Sequence, residues 1–241
     1  MSWPSTCEPA ANPGRSPVAE GSGIGSRHYI SELLGTFVLV ALGPGAAMVS
    51  GTTHAFGHSA VALSFGLAVT LVIAATGHLG GAHINPAVTI GLWSVRQFPG
   101  RQVIPYVAAQ CLGAVLASAT LLWILGSEGG FGATTPAVAT SKAFAVEAGY
   151  SAILAFVILG ASDSKNAPGV APFAIGATVF AGALVTGPLT GGSFNPARSL
   201  GPAVVGDIWA AHWLYWLAPT LGMTAAMHAY RRLRHSPADP I

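Results

Sequence analysis

The chain has 241 residues, of which 52% are hydrophobic and 7% are charged, against roughly a quarter charged in an ordinary soluble domain. So few ionisable groups could not cover a water-soluble globule, and between residues 59 and 95 there is no Asp, Glu, Lys or Arg at all. A net charge of +2 and only two cysteines, Cys7 and Cys111, exclude a basic domain that partners nucleic acid and a disulfide scaffold.

In chain order, residues 1–27 are rich in Pro, Gly and Ser and lack an apolar run. They read as a disordered tail rather than a signal peptide. Apolar runs follow at residues 29–49, 59–75, 103–125, 143–159, 171–185 and 214–230. At about 20 residues per span these predict six transmembrane helices in one membrane domain, residues 28–234, with a short tail at 235–241. Their high Gly and Ala content predicts close helix packing, because lipid offers no hydrophobic drive for helix association. With six spans, Arg15, Arg27, Arg96, Arg101, Lys165, Arg231, Arg232 and Arg234 fall on the side of both termini, and only Lys142 lies in a loop on the other. Both termini are therefore expected in the cytoplasm, and the protein in the cell membrane.

Setting residue n against n+110 aligns Gly66 with Gly176, Gly81 with Gly191, Asn85-Pro86-Ala87 with Asn195-Pro196-Ala197, and Gly91 with Gly201. Glu32 pairs with Glu147 and Gly113 with Gly222 at nearly the same offset. The repeats cover about 28–125 and 141–233. Three spans per repeat invert the second copy in the bilayer. Each repeated triplet precedes a stretch too short to span, and Asn followed by Pro suits a helix start. Both copies read as re-entrant loops with half-helices that meet near the midplane. The expected fold is an all-α membrane protein of six spans and two half-helices in an inverted repeat.

The two triplets, Gly80, Gly81, Ala82 and His83 before the first, Gly191, Gly192, Ser193 and Phe194 before the second, Arg198 after it, and Glu32 and Glu147 resemble the aquaporin or major intrinsic protein family. The resemblance implies a passive, non-enzymatic channel, a homotetramer in a lipid bilayer, and Glu32 and Glu147 as supports of the two loops. It assigns a filter to Phe65, Ala183, Gly192 and Arg198. Asn85 and Asn195 are expected to aim amide donors at the permeant beside two half-helix N-termini, each worth about +0.5 charge. The backbone of Gly80–His83 and Gly191–Ser193 is expected to supply acceptors along the tube. An isolated cation such as Arg198 within a membrane segment costs at least about 2.5 kcal/mol and is functional by default.

Family members specific for water usually place His where Ala183 stands, whereas glycerol facilitators place bulkier aromatics where Phe65 and Gly192 stand. Ser199 after Arg198, and the pair Tyr215-Trp216, resemble the water group. The expectation is a water channel with a relaxed filter that also passes small neutral solutes such as ammonia, hydrogen peroxide, urea, glycerol, and boric or arsenious acid. A channel mainly for such solutes and an inverted-repeat secondary transporter are the alternatives. No cofactor or metal is expected, since His83 has no second ligand at metal spacing. Gating through His78 is a secondary idea, and Trp213, Tyr215 and Trp216 read as interfacial anchors and packing.

Overall fold

The computed structural model describes residues 24–163 and 165–234. The proposed terminal tails, with Cys7 and Arg15, fall almost wholly outside the described residues. Eight helices follow one another: α1 (Ser26–Thr53), α2 (His58–Gly80), α3 (Pro86–Ser94), α4 (Val103–Leu125), α5 (Thr140–Ala161), α6 (Val170–Thr190), α7 (Pro196–Gly206) and α8 (Leu214–Arg234). By length and composition α1, α2, α4, α5 and α6 can cross a membrane. The sixth long helix, α8, has 21 residues, about 31 Å of helix. It is less apolar because its last turn holds Arg231, Arg232 and Arg234.

The half-helices owe their starts to local chemistry. Asn85 caps α3, its side chain accepting from the Ala87 N–H at 2.9 Å, and Pro86 occupies the first turn, where no backbone donor is needed. Asn195 caps α7 in the same way, accepting from Ala197 and Arg198 at 3.0 and 3.3 Å. The helix before each loop ends at a left-handed glycine, Gly81 (φ 85°) or Gly191 (φ 82°).

The repeat is visible in packing. A Cβ on Gly66 would lie 2.7 Å from the Gly176 carbonyl oxygen, and one on Gly176 2.6 Å from that of Gly66. The two-fold relating the halves therefore passes between α2 and α6 where their backbones touch. Gly113 of α4 meets the Leu33 carbonyl of α1, and Gly222 of α8 meets the Ala148 carbonyl of α5, so closely that a Cβ would overlap either oxygen. The half-helices are exchanged between the repeats. α3 packs on α8, with Gly91 against Met227, and α7 packs on α4, with Gly201 against the Ala114 carbonyl.

Candidate functional site: a two-loop constriction

Each re-entrant loop bends through left-handed positions at equivalent places: Gly81, Ala82 (φ 47°) and Ile84 (φ 44°) in the first, and Gly191, Gly192 (φ 57°) and Phe194 (φ 53°) in the second. For a β-branched residue such as Ile84 this is an outlier conformation costing about 1–3 kcal/mol, which the surroundings must hold. They do so with a buried carboxylate under each loop. Glu32 accepts the N–H groups of His83 (2.8 Å) and Ile84 (2.7 Å), and Glu147 accepts those of Ser193 (3.0 Å) and Phe194 (2.8 Å). Both glutamates are fully buried. The bent chain is thus paired where an unpaired donor would be costly.

Further polar groups complete each clamp. Gln110 donates to Glu32 at 2.7 Å and to Thr89 at 3.0 Å. In the second half Thr190 donates to Glu147 at 2.7 Å, and Ser193, Ser199 and Thr134 form a hydroxyl chain. The Tyr106 hydroxyl donates to the Gly80 carbonyl at 3.0 Å, and Tyr215 donates to the Thr190 carbonyl at 2.7 Å.

Reading the sequence missed Tyr106, Gln110 and Thr89. The repeat offset could have found two of them, because Tyr106 pairs with Tyr215 and Thr89 with Ser199. Of the residues read as anchors and packing, Tyr215 is fully buried and packs inside the bundle, whereas Trp213 is 55% exposed. The Gly80 carbonyl is likewise engaged by Tyr106.

Where the loops meet, they tie the two halves together. The Asn85 amide donates to the Phe194 carbonyl and the Asn195 amide to the Ile84 carbonyl, both at 2.8 Å. An asparagine amide has two N–H donors, so each spends one on the opposite loop and keeps one. Asn85 and Asn195 both line a cavity of about 1240 Å³, together with Gly80–His83, Gly192 and Ser193. Its far end is ringed by Arg96, Arg101, Asp163, Arg231 and Arg234, and Arg234 is paired to Asp163 at 3.1 Å.

A second cavity of about 150 Å³ is lined by Ala183, Gly187, Gly191 and His58 among others. Phe65 and Arg198 border both cavities. The Arg198 guanidinium carbon stands 4.8 Å from the Phe65 ring centre, within cation–π range. Arg198 donates to the Gly132 carbonyl at 2.8 Å, while its Nε, also buried, has no partner. Gly132 ends a run of left-handed residues, Gly129 to Gly132. Ala183 and Gly192 are neighbours here, since a Cβ on Gly192 would lie 3.3 Å from the Ala183 Cα. The four residues assigned to the filter thus come together. His83 packs against Phe98 and Tyr106 beside the large cavity. His78 is exposed and lines neither cavity.

Six long helices, two capped half-helices and two re-entrant loops beside a pair of cavities that share Phe65 and Arg198 define an integral, multi-pass membrane protein of the channel type. The Major intrinsic protein family profile matches residues 22–230, and the chain belongs to that family. It is 39% identical over 226 residues to Aquaporin NIP1-1 of Oryza sativa subsp. japonica, covering 90% of this chain and 80% of that one. It is also 39% identical to Aquaporin Z of Photorhabdus laumondii, covering 86% and 97%. The X-ray structure of the aquaglyceroporin from Plasmodium falciparum superposes with a TM-score of 0.80 at 30% identity, over 87% of this chain and 96% of that one.

Proposed function

We propose that the protein is a passive channel for water whose relaxed filter also passes small neutral solutes. The observation that carries this reading is the meeting of the two cavities at Phe65 and Arg198, with the Asn85–Asn195 pair bordering the larger one. Water passing the loops finds one spare donor on each asparagine and the positive ends of α3 and α7, while cations are repelled by those same ends and by Arg198. Arg198 hydrogen-bonds a neutral carbonyl, and its charge acts on the passage alongside its electrostatic interaction with the buried Glu147. Ala183 and Gly192 leave the filter wall apolar and short of side-chain volume. The likeness to an aquaglyceroporin supports glycerol-sized solutes. The ring of arginines at the large cavity's end supports a cytoplasmic location for that mouth and for both termini. The exposed apolar residues along the outer faces, Leu63, Leu67 and Leu71 among them, suit contact with lipid or with further copies in a homotetramer.

The test is osmotic shrinkage of proteoliposomes in stopped flow. Shrinkage well above that of empty vesicles, with no accompanying proton current and with entry of urea or glycerol, is the expected result. Shrinkage no faster than in empty vesicles, at verified insertion, overturns the channel.

A further inference from the structure

His58, at the first turn of α2, occupies a place that three other residues prepare. Pro188 lies inside α6 and has no N–H, so the Leu184 carbonyl four residues earlier loses its helical donor. The His58 Nε2 stands 2.9 Å from that carbonyl oxygen. A carbonyl only accepts, so Nε2 carries the hydrogen, and the neutral ring keeps Nδ1 as an acceptor. Gly187 makes the room. A Cβ there would overlap the imidazole Cε1 and lie 3.1 Å from Nε2 and 3.3 Å from Nδ1, so the ring lies across bare backbone.

The ring lines the small cavity one helical turn from Ala183, on the same face of α2 as Ala62 and Phe65. Of the groups facing it there, α6 contributes Ala183 and Gly187, the loop before α5 contributes Gly132 and Ala133, and α7 contributes Arg198. Among the described residues, Arg198 is the one charged side chain lining that cavity. Apart from His58, no described side chain lining that cavity offers an acceptor, and the Gly132 carbonyl is already taken by Arg198.

We propose that His58 is a specificity-determining residue of the outer mouth, its imidazole supplying a side-chain hydrogen-bond acceptor to a polar neutral solute as it approaches Arg198. This rests on the channel reading and deepens it. A solute with several N–H or O–H donors, such as urea or glycerol, gives one to the imidazole and accepts from the arginine. Water, which is smaller and rebonds to its neighbours in the file, depends on the imidazole less.

The experiment measures urea and water permeability in the same proteoliposomes for the wild type, His58→Phe and His58→Gln. Phe keeps a ring and loses both nitrogens, and Gln keeps a donor and an acceptor. The expected result is a fall of about fivefold in the urea-to-water ratio for His58→Phe, the equivalent of one net hydrogen bond, with most of the ratio retained by His58→Gln. Because the ratio is taken within one preparation, it stands even where a variant inserts poorly. Vesicles that pass both permeants with a ratio indifferent to the substitution overturn this proposal alone. Wild-type vesicles that pass water and no urea overturn it together with the relaxed filter, and vesicles that pass neither overturn the channel itself.

Discussion

Arg198 contributes both a cation–π partner for Phe65 and a fixed charge where the two cavities meet. A unit charge about 5 Å from a passing cation, at an effective dielectric near 20, raises the cation's energy by roughly 3 kcal/mol, about two orders of magnitude in rate. Arg198→Val should therefore raise cation leak up to about a hundredfold while neutral flux stays level or rises, as read from ionic conductance and shrinkage of the same preparation. An unchanged leak would place the barrier at the half-helix ends alone. Ala183→His should add a polar ring opposite Phe65 and lower the urea-to-water ratio by roughly tenfold, the scale at which pocket volume discriminates. Loss of water and urea flux in equal proportion would show blockage instead of selection. The position beside it is less adjustable. Gly192 has φ 57°, and a Cβ there would come within 3.0 Å of the Thr186 hydroxyl. A threonine at 192 would strain the loop, so Ala183→His alone is the cleaner variant.

Among the elements, the long helices were legible because hydropathy reports burial in lipid directly. The predicted run at 59–75 reaches Gly80 in the structure, and the run at 171–185 reaches Thr190. Both shortfalls cover segments that mix Gly, Thr, His or Pro with apolar residues yet stay helical up to the left-handed glycine. The half-helices were legible from Asn-Pro, where cap and first turn are chemically explicit. The clamps were legible only in their carboxylates. Glu32 and Glu147 stand out as charges in apolar surroundings, whereas Gln110, Tyr106 and Thr89 read as ordinary polar residues of a span or loop. The seat of His58 was not legible, because it depends on a carbonyl freed by Pro188 on a helix 126 positions away. Gly113 and Gly222 give a test of the pairing between α1 and α4 and between α5 and α8. Gly113→Val and Gly222→Val force side chains into backbone oxygens that cannot yield, and each should cost at least about 2 kcal/mol. Thermal unfolding in detergent should show two similar drops, whereas Gly149→Ala, where a Cβ meets nothing within 4 Å, should show little. A drop confined to one of the two glycines would deny the structural equivalence of the repeats.

At the scale of the molecule, the exchange of half-helices means that neither repeat is a finished object. α3 rests on α8, and Asn85 bonds the Phe194 carbonyl 109 positions later. A ribosome adding about 5–20 residues per second needs on the order of ten seconds to make that stretch. The first loop must wait in the membrane through that interval with its amide and its half-helix uncovered. Insertion can be stepwise, but closure of the passage is a single late event, completed when the last helix arrives. A fragment of residues 1–138 carrying Thr89→Cys, with Cys7 and Cys111 replaced by serine, should therefore react with a small water-soluble maleimide. Co-synthesis of residues 139–241 should protect the same thiol, since Thr89 is fully buried in the complete fold. Protection in the fragment alone would mean that the first half closes unaided and that translation order leaves no unguarded interval.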